Sequence, residues 1–130
     1  MVSKDELLYT EDHLWIRADG DIYTIGITEE GLDELETVLI VEIPKIGELV
    51  YAGQEIGSIE SVKTVYPILS PVSGNISDNN AILIDDVEPI SGSPYERGWL
   101  LRIEASKPLI TRKFLNRSEY QEIFRRSCSR

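Results

Sequence analysis

The sequence predicts a mainly β domain in which short strands close into a flattened barrel or sandwich, with short flanking helices and a C-terminal helix. Three observations carry this. Apolar and β-branched residues recur in short alternating runs bounded by turn residues. Glycines at 47, 53, 57 and 74 punctuate the middle of the chain, which calls for sharp corners between very short strands. Near the end, Ser118-Glu119-Tyr120-Gln121 reads as a capping box, and Tyr120, Ile123 and Phe124 share one helical face.

Taken in order, Leu14 to Ala18 and Ile22 to Ile27 read as a hairpin around Asp19-Gly20-Asp21. The second strand places Tyr23, Ile25 and Ile27 on one face and Ile22, Thr24 and Gly26 on the other. Thr28 then caps a helix of one or two turns. Glu29 and Glu30 fall in its first turn, Leu32 and Leu35 give it a narrow apolar edge, and Gly31 weakens it. Val38 to Ile43 is apolar almost throughout and is expected to be a buried strand stopped by Pro44. Val72 to Ser77 reads as a strand turned by Asn79-Asn80, residues 81–96 as an irregular or briefly helical excursion, and Trp99 to Ile103 as a returning strand.

Composition narrows the function. A chain of 130 residues, 42% hydrophobic and 28% charged, is large enough for a real core and has the balance of a soluble globular protein. No apolar run approaches the roughly 20 residues that a membrane span needs, and the first 14 residues lack a secretory pattern, so a cytoplasmic protein with no membrane partner is expected. Cys128 is the single cysteine and His13 the single histidine, which leaves no internal disulfide and little basis for a metal site. Cys128 lies beside the terminus, where a free thiol is more often incidental than redox-active.

Charge is unevenly spread. Residues 1–104 hold 6 Lys+Arg against 21 Asp+Glu, a net of −15, and residues 105–130 hold 7 against 2, a net of +5, which together give the −10 of the chain. An acidic body repels phosphate and argues against nucleic acid, whereas it suits salt-sensitive encounters with basic protein surfaces.

The stretch Gly57-Ser58-Ile59-Glu60-Ser61-Val62-Lys63-Thr64-Val65 stands apart. One strand runs out at Ser61 and another returns over Val65 to Leu69, which puts Lys63 at a hairpin tip. A lysine there is solvated, and no apolar pocket or second cation in the pattern would make it a Schiff-base nucleophile. It is better placed to be modified than to catalyse.

At these residues the sequence resembles the H protein of the glycine cleavage system, in which an E-S-V-K-A hairpin carries lipoate on its lysine. The likeness runs through Tyr9-Thr10-Glu11-Asp12-His13-Leu14-Trp15, Gly26-Ile27-Thr28 and Val41-Glu42-Ile43-Pro44-Lys45-Ile46-Gly47. It continues in Ser70-Pro71-Val72-Ser73-Gly74 and Pro94-Tyr95-Glu96-Arg97-Gly98-Trp99-Leu100, so it covers roughly residues 9–104 in order. The chain departs from that pattern at Leu14, at Glu36-Thr37 where the family has G-D, at Thr64, Ser91 and Glu96, and in its basic tail.

The resemblance implies a barrel-sandwich hybrid of the biotinyl and lipoyl type, in a domain spanning 1–130 with its core at about 9–104 and a basic helical extension at about 105–130. It implies a monomeric carrier, not an enzyme, with lipoate in amide linkage to Lys63 and with Glu60 and Gly74 read by a lipoate ligase or a lipoyl or octanoyl transferase. The arm would take an aminomethyl group from a pyridoxal-phosphate glycine decarboxylase, pass it to an aminomethyltransferase and be reoxidised by dihydrolipoyl dehydrogenase. Two related roles share these residues: an H-like carrier in sulfur oxidation with a heterodisulfide-reductase-like complex, and a relay in lipoate transfer. An interaction module with a bare Lys63 is a third. Biotin fits poorly, because biotin carriers flank their lysine with methionines and here Val62 and Thr64 do so. His13 and Trp15 match the family opening and are read as structural, since alternate residues of one strand share a face.

Overall fold

The computed structural model describes residues 3–106 and 114–128, the last three of these by backbone alone. Among the described residues nine strands form two antiparallel sheets. The larger contains β1 (Leu8–Tyr9), β2 (Leu14–Asp19), β3 (Ile22–Ile27), β5 (Leu49–Val50), β8 (Gly74–Asn79) and β9 (Leu101–Ala105), in the order β1-β2-β3-β9-β8-β5. The smaller is β4 (Val38–Glu42), β6 (Glu55–Ser61) and β7 (Val65–Leu69), with β6 in the centre. Helix α1 (Glu29–Leu35) joins β3 to β4, the short α2 (Ile82–Asp85) and α3 (Glu88–Gly92) fill the excursion after β8, and α4 (Arg117–Cys128) closes the chain. This is the expected mainly β architecture, built as two separate sheets.

Period-2 alternation decides which side each strand buries. On β2, Leu14 and Ile16 face the core between the sheets, together with Ile25 and Ile27 of β3, Ile59 of β6, Ile68 of β7 and Ile76 of β8. Trp15 points the other way, into a second cluster with Leu7, Tyr9 and Tyr120. On that outer face the Trp15 ring lies against Gly26 and Arg102 reaches over Thr24, which is why Thr24 and Gly26 are as buried as Tyr23 and Ile25.

Several expectations need correction. Only Val38 and Val41 of β4 are buried, while Leu39 and Ile40 are about half exposed (49% and 51%), because β4 is an edge strand with a bulge between Val38 and Ile40. The strands expected at Val72 to Ser77 and Trp99 to Ile103 each begin two residues later. Gly47 and Gly53 make turns at positive φ, but Gly57 and Gly74 lie inside strands. At Gly74 a Cβ would overlap the Glu104 carbonyl, and at Gly57 that of Glu42, so these two glycines permit close backbone approach between neighbouring strands. Gly31 likewise lets α1 sit against the turn before β2, since a Cβ there would stand 2.7 Å from that of His13.

The C-terminal helix has its capping box two residues before the expected one. Glu119 N–H donates to Asn116 Oδ1 and Asn116 N–H to Glu119 Oε1, each at 2.9 Å. Tyr120 then drops into the second cluster, fully buried and stacked on Tyr9 at 4.9 Å. Its hydroxyl lies 2.6 Å from both Thr28 Oγ1 and His13 Nδ1, and His13 Nε2 lies 2.7 Å from Glu34. Arg117 reaches across to Glu30 at 2.6 Å in a pair that is only 13% and 14% exposed, so this part of the basic tail folds back on the acidic body. Arg112 and Lys113 lie outside the described residues.

Tyr120→Phe removes the hydroxyl that Thr28 and His13 share while keeping the ring, and should lower unfolding free energy by about 1–3 kcal/mol in a denaturant titration. A change below about 0.5 kcal/mol would mean that stacking alone holds α4.

Burial pushes the Tyr9 hydroxyl up to about 12 and raises those of Tyr66 and Tyr120 as well. These phenols ionise near pH ~10 in the unfolded chain and later in the folded one, so their contribution is complete below about pH 10 and lost as pH rises. Stability should fall between about pH 10 and pH 12, together with the appearance of phenolate absorbance; ionisation of all six tyrosines at pH ~10 with no loss of stability would contradict this.

Candidate carrier site at the β6–β7 hairpin

The turn between β6 and β7 is organised by one serine. Ser61 is buried, its Oγ accepts from the N–H groups of Lys63 and Thr64 at 3.1 Å each, and it donates to the Thr64 carbonyl at 3.2 Å. The Ser61 N–H also donates to the Thr64 carbonyl at 2.8 Å, which closes the turn. A second anchor comes from outside the hairpin, where Val62 N–H donates to the Thr37 carbonyl at 3.0 Å. The backbone at the tip is thus fixed from two sides. Lys63, between these anchors, keeps its side chain 53% exposed.

Around the lysine the hairpin presents apolar surface outward. Ile40 of β4, Glu60 of β6 and Val65 of β7 lie side by side across the small sheet, and Ile40 and Val65 are half exposed, as is Val62 at the tip. Glu60 therefore stands three residues before the lysine, partly buried between two aliphatic neighbours. Gly74 is not brought to this surface: it lies buried in the other sheet, paired with Val50 and Ala105. What surrounds it there is the close strand packing described above.

Lys63 forms an ion pair with Glu36, whose Oε2 lies 3.2 Å from its Nζ, with both side chains more than half exposed. Glu36 caps α1 at φ 64° and ψ −113°, a conformation that suits glycine and that an L side chain rarely adopts. This is one of the positions where the chain departs from the family pattern, which has glycine there. Sequence reading singled out Glu36 as a departure from the family pattern but missed its contact with Lys63, and it missed the turn role of Ser61. The serine two residues before the lysine is a recognisable turn signal, whereas nothing local to Glu36 announces its contact with a residue 27 positions away.

His13 is not on the strand face expected for it. It precedes β2 at φ 69° and turns its ring towards Tyr120 and Glu34. With the ring neutral, Nε2–H donates to the Glu34 carboxylate and Nδ1 accepts from Tyr120, whose oxygen accepts from Thr28. A hydroxyl, an imidazole and a carboxylate are present, but each is spent on holding α1 and α4 together. Trp15 is buried and donates to the Pro94 carbonyl at 3.1 Å. Among the described residues no cluster of His, Cys, Asp or Glu has the arrangement of a metal site. No described helix is long and apolar enough to cross a membrane.

Residues 7–127 match the family described as Glycine cleavage H-protein. The chain belongs to that family. It is 41% identical over 118 residues to a glycine cleavage system H protein of Listeria monocytogenes, covering 91% of this chain and 94% of that one. A protein of the same name from a Cyanothece strain is 38% identical over 117 residues, covering 90% and 91%. Among solved structures, the glycine cleavage system H protein of Mycobacterium marinum superposes with a TM-score of 0.82 at 35% identity, covering 91% of this chain and 95% of that one. The family match extends to residue 127, within α4, whose Tyr120 is fully buried.

Glu36→Gly should relieve backbone strain, costing about 1–3 kcal/mol for a non-glycine residue, at the expense of a surface pair worth less than about 1 kcal/mol. A net stabilisation of about 1 kcal/mol is expected in thermal or denaturant unfolding. Equal or lower stability would show that the neighbours of Glu36 impose its conformation at no cost.

Proposed function

We propose that this protein is a lipoyl carrier of a glycine cleavage system and that Lys63 is the attachment residue. The observation that carries the reading is the combination of an exposed lysine side chain with a tip backbone fixed by Ser61 and Thr37. A carrier must offer one group to several enzymes, so its attachment point should be rigid and protruding while the arm beyond it is free. Bound as an amide on Lys63 Nζ, lipoate would supply a disulfide able to take up a one-carbon amine fragment and a pair of electrons. What the chain supplies is position: tethering holds the arm at an effective concentration on the order of millimolar at any enzyme that docks. The enzymes implied by the family resemblance are the glycine decarboxylase, the aminomethyltransferase and dihydrolipoyl dehydrogenase.

Amide formation removes the lysine charge. The Glu36 contact therefore belongs to the unmodified protein, and as an exposed pair its loss should change stability by less than about 1 kcal/mol. Glu60, partly buried between Ile40 and Val65, offers the attaching enzyme a carboxylate within an apolar surround. Gly74 would contribute to recognition through the strand packing it allows and not through direct contact.

Treatment with lipoate ligase followed by peptide mapping should place the adduct on Lys63 alone, and Glu60→Ala should slow the reaction without moving the unfolding midpoint. Lys63→Arg keeps the charge and should stay within about 0.5 kcal/mol of wild-type stability while accepting no lipoate. With the three enzymes added, lipoylated wild type should support glycine-dependent NADH formation and Lys63→Arg none. An adduct on another lysine overturns the attachment site. A lipoylated protein that dihydrolipoyl dehydrogenase turns over but that glycine never loads overturns the pathway.

A further inference from the structure

The chain's cations are few and they are not scattered. Of the six Lys and Arg residues in 1–104, three line one cleft of about 460 Å³ on the outer face of the large sheet, and both tryptophans of the chain line it with them. The floor is a row across three strands, in which Arg17 of β2 is paired with Thr24 of β3 and Thr24 with Arg102 of β9. Trp15 continues the floor, and Tyr95, Arg97 and Trp99 form the wall; Glu96 is its one carboxylate. A fourth cation, Lys4, stands over the Tyr95 ring at 5.2 Å.

The three arginines differ in what they already hold. Arg102 is committed: it donates to Asp78 at 2.9 Å and to Thr24 at 3.1 Å, and covers the Trp99 ring at 4.0 Å. Arg97 has only a long contact with Glu88, 3.7 Å between two side chains that are 66% and 63% exposed, a pair worth little in water. Arg17 is half-buried and has no ion-pair or hydrogen-bond partner for its guanidinium among the described residues. In a body of net charge −15, a half-buried guanidinium left without a carboxylate is a vacancy for one, because the flat fork binds a carboxylate through two parallel bonds.

We propose that this cleft is a docking site for an acidic segment of a partner protein, with one carboxylate on Arg17 and the next on Arg97. The lining favours a protein segment: Trp, Tyr and Arg are the residues concentrated at the anchor points of protein interfaces, whereas small-molecule pockets are lined mainly by apolar side chains. The place also suits a docking site. The Tyr95 hydroxyl accepts from the Glu29 N–H at the start of α1, and α1 ends at Glu36 beside Lys63, so cleft and hairpin lie at opposite ends of a helix about 10 Å long. Binding in the cleft does not depend on what Lys63 carries.

Both tryptophans line the cleft, so tryptophan fluorescence reads its occupation directly. The unmodified protein is titrated with N-acetyl, C-amidated hexaglutamate, which the acidic body as a whole repels. A saturable change is expected, weakened about tenfold or more by Arg17→Gln and several-fold by Arg97→Gln, and unchanged within about twofold by Lys45→Gln on a surface away from the cleft. Thermal unfolding verifies that each variant is folded, and Arg97→Gln on the exposed wall keeps the test decisive if Arg17→Gln is not. The proposal is overturned by the absence of a saturable change or by wild-type binding in both arginine variants. It is also overturned if acetate or benzoate saturates the signal at the same carboxylate concentration, which would indicate a small-anion site, or if hexathymidylate binds more tightly than hexaglutamate.

Discussion

A single hydroxyl ties together the parts of the chain that position the lysine. The Tyr120 oxygen joins α4 to the residue that caps α1 and to the turn that leads into β2, and its ring rests on Tyr9 of β1. Thr28 also accepts from the Gly31 N–H, so the bond that fixes the first turn of α1 and the bond that docks α4 share one oxygen. From there the connection is mechanical. Helix α1 runs for seven residues to its cap at Glu36 and passes the chain to Thr37, whose carbonyl holds the tip of the hairpin. Buried polar groups of this kind are costly unless every one is satisfied, and among the described residues no buried side-chain N or O atom lacks a partner.

The charge distribution follows the same logic. An acidic body and a basic tail would attract each other without any defined geometry, but Arg117 meets Glu30 in a largely buried forked contact and lies over the rings of Tyr9 and Tyr120. Such a pair gives little net stability, since desolvation offsets most of the attraction, yet removing either partner strands a charge beside the aromatic cluster. It sets where α4 docks more than how tightly. Of the six cations of the body, Lys63 stands at the hairpin tip, Arg17, Arg97 and Arg102 line the cleft with Lys4 beside it, and Lys45 lies at neither.

What could be read from sequence was what depends on short spacing. The hairpin over residues 55–69, the Thr28 cap, the helical excursion after β8 and the face of Tyr120, Ile123 and Phe124 all rest on patterns within one turn or one strand. The failures share a different cause. Val38 to Ile43 reads as a buried strand because its composition is apolar, but the number of neighbours a strand has is a property of the sheet, and β4 has only one. Gly57 and Gly74 read as corners because glycine is common there, whereas the reason for them is a backbone on a neighbouring strand. His13 was expected on the Trp15 face, and a left-handed residue just before the strand breaks that alternation. For the site itself, the lysine was legible and its supports Thr37 and Glu36 were not, since both contacts cross from the α1–β4 junction.

The surround of Lys63 is one of the places where this fold breaks local rules; His13 at positive φ and the exposed Ile46, Leu49, Tyr51, Ile82 and Ile84 are others. Glu36 holds a backbone conformation suited to glycine, and Leu39, Ile40, Val62 and Val65 leave large aliphatic surface in water on the small sheet and its turn. A sequence selected for stability alone would have glycine at 36 and polar residues on the open face of an edge strand. Neither the strain nor the exposed apolar surface helps the core, because the buried side of the same sheet, Val41, Ile59 and Ile68, packs without them. On the small sheet and its turn that cost falls on a few residues near one lysine, whose own exposed ion pair contributes little to the fold. That is the distribution expected if the hairpin is a surface to be met by other proteins, with apolar residues to be covered on contact and a charged tip that gives up its ion pair when it is modified.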